Sequence, residues 1–128
     1  MSVLTKIFLL LWVLTLLSMH NVLAAHLTIT NDLGDNLDLT IHCKSKDDNL
    51  GAHLLHHGQS YGFEFSNNFW GTTLFFCSFQ WKDEFRWFDI YKESRDYGIC
   101  TSCDWFIKKS GPCLHRFEMN PECSSWNN

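Results

Sequence analysis

The chain has 128 residues, of which 45% are hydrophobic, 16% aromatic and 19% charged, with only two prolines. That much apolar surface excludes a disordered or collagen-like chain, and the length suits one domain rather than two. A net charge of −4 argues against nucleic acid as a partner, because such binding rests on cationic side chains that release counterions, and against a polybasic membrane anchor.

Residues 1–24 read as a cleaved secretory signal. Lys6 is the only charge, the apolar run from Ile7 to Leu17 is too short to span a bilayer comfortably, and Val22-Leu23-Ala24-Ala25 puts small residues at the exit. Cleavage after Ala24, with Ala25 as the alternative, leaves residues 25–128 as one released domain with no expected membrane insertion. All six cysteines, Cys43, Cys77, Cys100, Cys103, Cys113 and Cys123, lie in that domain. An even count in a small secreted chain reads as a disulfide framework.

From His26 onward the hydrophobic period is two. Leu27 and Ile29 alternate with Thr28 and Thr30, and Leu37, Leu39, Ile41 and Cys43 alternate with polar neighbours. Tyr61, Phe63 and Phe65 share a parity, then Phe75, Cys77, Phe79 and Trp81, then Cys103, Trp105 and Ile107, with Phe117 and Met119 closing the pattern. Turn-forming clusters separate these runs, among them Lys46-Asp47-Asp48-Asn49-Leu50-Gly51, Ser66-Asn67-Asn68, Lys82-Asp83-Glu84 and Ser110-Gly111-Pro112. No stretch carries a convincing helical stripe. The expectation is an all-β fold, a small antiparallel sandwich or barrel stabilised by disulfides.

Residues 85–91 do not alternate. Phe85, Trp87 and Tyr91 share one parity while Phe88 and Ile90 share the other, which fits a central strand or an edge ribbon whose outer face meets a partner. The core reading is preferred, since aromatics fill cores more often than they advertise interfaces. Cys43, Cys77 and Cys103 sit at inward parities. Cys100 and Cys103 are disfavoured as a pair in an extended segment, because three residues span about 10 Å. The expected pairing is therefore Cys113 with Cys123, and Cys43 and Cys77 each with one of Cys100 and Cys103.

Several longer strings carry a resemblance. His42-Cys43-Lys44-Ser45-Lys46-Asp47-Asp48-Asn49-Leu50-Gly51 resembles the His-Cys-Lys-Ser-Lys-Asp-Asp-Asp-Leu-Gly signature of the plant self-incompatibility S-proteins and their homologues. The segments Gly71 to Trp81, Thr28 to Leu33, Phe88 to Tyr91, Arg95-Asp96 and Cys100 to Trp105 follow in family order. The resemblance implies a small secreted β-sandwich with disulfides. It also implies a non-enzymatic extracellular ligand, which in the founding members is a pistil protein read by a pollen surface receptor to reject self pollen. Two departures stand out: Asn49 occupies the third acidic position, and Cys113 and Cys123 exceed the usual four cysteines.

Chemistry beyond recognition finds little support. Asp47 and Asp48 offer too few oxygen ligands for calcium, and a solvated turn or a receptor contact is the simpler reading. His53, His56 and His57 are the densest group of metal-ligand residue types, yet surface histidines explain them and no metal or cofactor is expected. Thr40-Ile41-His42-Cys43-Lys44 shares only Ile-His with the motif of secreted plant ribonucleases, and no second group can be nominated for acid–base work. Cys100-x-x-Cys103 lacks the α/β context of a redox motif.

The sequence therefore points to a non-enzymatic, monomeric, apoplastic ligand of a cell-surface receptor protein. Variable loops around Lys46, Asp47, Asp48 and Asn49, around Asn68 and Trp70, and around Phe85 and Arg86 are expected to meet the receptor. The alternatives are a carbohydrate- or cell-wall-binding module that stacks sugars on Trp70 and Trp87, and a secreted inhibitor of a foreign enzyme.

Overall fold

The computed structural model describes residues 2–116 and 119–127, with the backbone alone for residues 17–23. A leading helix α1 (Val3–Leu23) precedes nine strands: β1 (Ala24–Asn31), β2 (Leu39–Lys44), β3 (Asn49–Leu55), β4 (Ser60–Ser66), β5 (Leu74–Trp81), β6 (Glu84–Lys92), β7 (Ser102–Lys108), β8 (Gly111–His115) and β9 (Glu122–Cys123). A single turn of helix, α2 (Glu93–Asp96), lies between β6 and β7. The side chains of α1 from Val3 to Leu16 are exposed, so they add nothing to the core. Among the described residues no helix is long and apolar enough to cross a membrane.

The strands form two sheets, β4-β1-β7-β8-β9 and β3-β2-β5-β6. Every pairing is antiparallel except β1 with β7, which is parallel. Alternation places Leu27, Ile29, Leu39, Ile41, Cys77, Phe79 and Ile107 fully inside, where the inner faces meet in one core. The expected inward sets on β1, β2, β5 and β7 are thus the observed ones. Met119 is exposed, and Phe117 lies outside the described residues.

Three features depart from expectation. Of Ser110-Gly111-Pro112, read as a turn, only Ser110 lies in one, with Lys109, while Gly111 and Pro112 open β8. The short helix α2 carries no hydrophobic stripe and is held by side chains: Asp96 accepts the Lys92 amide (2.8 Å) and a two-pronged contact from Arg95 (2.8 and 2.7 Å). Strand β6 is a sheet edge, and its pairing with β5 slips by one residue between Phe75 and Phe76. That bulge turns Tyr91 inward beside Ile90, while Phe85 and Trp87 stay on the outer face, 49% and 41% exposed. The core reading therefore holds for Phe88, Ile90 and Tyr91 and fails for Phe85 and Trp87.

The disulfides also correct the expected pairing. Cys43 and Cys77 are direct partners in the β2–β5 register and bond to each other within one sheet, not across the sandwich. Cys100 bonds Cys103 because the chain is not extended there. The chain bends at Thr101, and the two Cα atoms lie 5.2 Å apart. Cys113 bonds Cys123, as expected.

Candidate functional site: a cleft at one end of the sandwich

Register shows which loops share an end. Lys44 pairs with both Asn49 and Phe76, and Leu74 pairs with Lys92, so the β2–β3 loop, the β4–β5 loop and α2 gather at one end of the sandwich. The β5–β6 hairpin at Lys82–Asp83 lies at the other. That far end is cross-linked by ion pairs of Asp32 with Lys108 (2.8 Å) and Asp35 with Lys109, and by a hydrogen bond between His56 Nδ1 and Asp38 Oδ1 (2.8 Å). The Lys109 ammonium beside Asp35 holds its carboxyl below the usual carboxylate range.

The near end is open, with a cleft of about 780 Å³ between the two loops. Its floor is aromatic and continuous with the core. Phe65 packs on Phe63 (5.8 Å between centroids), Phe75 (4.7 Å) and Tyr91 (4.6 Å). Lys46, Asp47, Asp48 and Glu64 supply a rim with more acid than base, and Phe69 and Trp70 form the outer wall. These two rings meet edge to face at 5.5 Å and are 92% and 80% exposed.

Local hydrogen bonds set both loops. In the β4–β5 loop, Asn68 Oδ1 accepts the amides of Trp70 (3.1 Å) and Thr72 (3.0 Å), and its Nδ2 donates to Thr72 Oγ1 (3.0 Å). Asn68 is thus an internal brace that leaves Phe69 and Trp70 pointing outward. Gly71 follows at φ +73°, where an added Cβ would lie 3.0 Å from Glu93 Oε2. The loop is also tied to the core, for the Tyr91 hydroxyl donates to Asn67 Oδ1 (2.6 Å). Burial raises the Tyr91 hydroxyl above its ordinary range, and the bond to Asn67 pulls in the opposite direction.

In the β2–β3 loop, the Ser45 amide donates to the Asp48 carbonyl (2.8 Å) and the Asp48 amide to Ser45 Oγ (3.1 Å). Asn49 Oδ1 accepts from the Gly51 amide (3.0 Å) and from His42 Nε2 (2.6 Å). The side chains of Lys46, Asp47 and Asp48 are left exposed.

Of the residues expected to meet a partner, the fold brings Lys46, Asp47, Asp48, Asn68 and Trp70 to this cleft, with Asn49 bracing its base. Phe85 and Arg86 stand apart. Phe85 lies on the outer sheet face, and Arg86, opposite Phe79 of β5, pairs with Glu84 (2.9 Å) toward the β5–β6 hairpin. Phe69 falls inside the loop from Asn67 to Trp70 that the sequence marks for partner contact, whereas Phe63 and Phe65 read only as strand residues. An Asn-Asn-Phe-Trp-Gly string between two strands is the signal for Phe69, since paired aromatics in a turn have no core to enter. The histidines do not converge: His53 stacks on Tyr61 (3.9 Å), His56 pairs with Asp38, and His57 is exposed.

Fold and site together define a disulfide-bonded β-sandwich that displays two braced loops around an aromatic-floored cleft. The plant self-incompatibility protein S1 family matches residues 26–126, and the chain belongs to that family. It is similar to S-protein homolog 5 of Arabidopsis thaliana, 50% identical over 103 residues that cover 80% of this chain and 78% of the relative. It is also similar to S-protein homolog 19 of the same plant, 45% identical over 100 residues covering 78% and 74%. A solved structure of a self-incompatibility protein homologue, from what is titled a widespread family of small, highly stable, secreted proteins from plants, shares the fold. Its TM-score is 0.61 at 19% identity, covering 82% of this chain and 96% of that one.

Proposed function

We propose that this chain is an extracellular, non-enzymatic protein ligand in cell–cell recognition, released to the apoplast after loss of residues 1–24 and read by a cell-surface receptor through the loop-end cleft. The observation that carries this reading is the convergence of two braced loops around Phe69 and Trp70, a nearly fully exposed aromatic pair. Clustered aromatics on a rigid scaffold are the usual energetic centre of a protein interface, and acidic and basic rim groups set register. The secreted character given for the structural neighbour and the self-incompatibility role in the family's description agree with it.

The test is saturable binding of the labelled, oxidised chain to intact plant cells bearing the receptor. The D47A/D48A and Trp70→Ala variants should weaken binding at least tenfold while keeping the native amide spectrum. Wild-type affinity in both folded variants would refute the reading.

A further inference from the structure

The outer face of β3-β2-β5-β6 points away from the core and adjoins the cleft only at its last rung, through Phe76 and Asn49. Register arranges it in three rungs: Leu54–Thr40–Gln80–Phe85, Ala52–His42–Ser78–Trp87, and Asn49–Lys44–Phe76–Asp89. Short side chains at Thr40, Ala52 and Ser78 make a floor, and Phe85 and Trp87 on the edge strand rise as a wall, giving a groove of about 270 Å³. Trp87 stands between Phe85 (5.5 Å between centroids) and Phe76 (6.2 Å), so neighbouring rings set its orientation.

We propose that this groove binds an acidic oligosaccharide of the uronate type. Each part of its lining has a counterpart in such a chain. Phe85 and Trp87 meet edge to face, at 72° between ring planes, so the wall offers one ring's face to the C–H face of a sugar and the other ring's edge to its neighbour. Thr40, Ser78 and Gln80 both donate and accept hydrogen bonds, as sugar hydroxyls do.

Charge selects the acidic member of the class. The ionisable groups lining the groove are His42 and Lys44, with no carboxylate among them, in a chain of net charge −4. His42 Nε2 donates to Asn49 (2.6 Å), a neutral amide, and among the described residues Lys44 makes no ion pair, its nearest acids in sequence being Asp47 and Asp48 on the cleft side. Asp89, at the far end of the third rung, is two strands from Lys44, about 10 Å away. An anionic sugar carboxylate near Lys44 would therefore meet an uncompensated positive site. This proposal is independent of the receptor reading, because it uses a different face.

The experiment is an NMR titration of the ¹⁵N-labelled, oxidised chain with hexameric oligogalacturonate and, separately, with uncharged cellohexaose. Oligogalacturonate should shift amides of residues 40–44, 76–80 and 85–89. Trp87→Ala should weaken binding at least tenfold, Lys44→Gln should remove the preference for the acidic sugar, and Trp70→Ala should bind like wild type. Should Trp87→Ala disturb the fold, Phe85→Ala, which removes the other wall ring, carries the same expected loss. Three results would overturn the proposal: no shift at millimolar sugar, shifts confined to the cleft loops as a protein-only surface would give, or equal affinity for the acidic and neutral hexamers.

Discussion

Asn31 Nδ2, at the end of β1, donates to the Leu55 carbonyl of the opposite sheet (2.9 Å). The same amide donates to the Leu37 carbonyl (2.7 Å), and Asn31 Oδ1 accepts the Leu33 amide (3.0 Å), all with Asn31 fully buried. One side chain thus satisfies three backbone groups across the gap between the sheets. Asn31→Ala would strand buried partners, each costing about 1–3 kcal/mol. Equilibrium denaturation should show a loss of about 3 kcal/mol in total, whereas an exposed control such as Ser94→Ala should change little.

The C-terminal tail depends on a glycine. Gly111 sits at φ +149°, and a Cβ there would fall on the Ser124 carbonyl oxygen, because the tail runs against β8 after the Cys113–Cys123 bond. The tail then reaches the other sheet. Trp126 packs on Phe79 (5.3 Å) and Trp81 (5.8 Å), and the Asn127 amide donates to the Trp87 carbonyl (3.0 Å) at the β6 edge. Gly111→Ala should destabilise by more than about 2 kcal/mol through backbone collision. C113S/C123S should lose about 3 kcal/mol by freeing the short loop and should increase fluorescence quenching of Trp126 by iodide.

Hydrophobic parity was enough to read the faces of β1, β2, β5 and β7 from the sequence, since burial on one side leaves a period of two. What parity does not contain is which strand lies beside which. Cys43, Cys77 and Cys103 were all correctly read as inward, yet only register shows that Cys43 and Cys77 face each other within a sheet. The bulge at Phe75 and Phe76 likewise shifts Tyr91 relative to Phe85 and Trp87 without a local signal such as glycine. The candidate site was half legible. The loops at Lys46 to Asn49 and at Asn68 to Trp70 were chosen for their turn chemistry, but their convergence, and the separation of Phe85 and Arg86 from them, follow from strand direction in the folded sheet.

That separation gives a contrast experiment. Gln80, the β5 partner of Phe85, lies four residues along the strand from Phe76 at the cleft, roughly 13 Å. Under the proposed function, F69A/W70A should reduce cell-surface binding at least tenfold, while F85A/R86A should leave it within about twofold, because hot-spot energy is concentrated where rings are desolvated together. Both variants alter exposed or edge positions and should unfold at denaturant concentrations close to wild type.

Tyr91 makes the link between core and cleft sensitive to alkali. Burial raises its hydroxyl above the ordinary value near 10, so the folded state holds the proton more tightly than the unfolded chain does. Its contribution is therefore complete below the unfolded value and declines as pH rises through the folded one. Absorbance at 295 nm should show one tyrosine ionising above the ordinary phenol range, followed by unfolding as it titrates. Tyr91→Phe should remove that late step and, by removing the hydroxyl's bond to Asn67, should raise amide exchange in residues 67–73 while leaving the β2–β5 core protected.

Under the proposed function, the start of β1 favours removal of residues 1–24 and no more. Ala25 is buried and pairs with Phe65, a residue of the cleft floor, whereas Ala24 is exposed and pairs with Ser66 at the strand end. Cleavage after Ala24 preserves the buried pairing and places the new amino terminus beside the cleft. Cleavage after Ala25 would delete a core residue and one rung of the β1–β4 ladder. Intact mass of the secreted protein should therefore correspond to residues 25–128 with all six cysteines oxidised. A chain engineered to start at His26 should unfold about 1 kcal/mol more easily, with the loss seen first as faster amide exchange at Phe65 and Ser66.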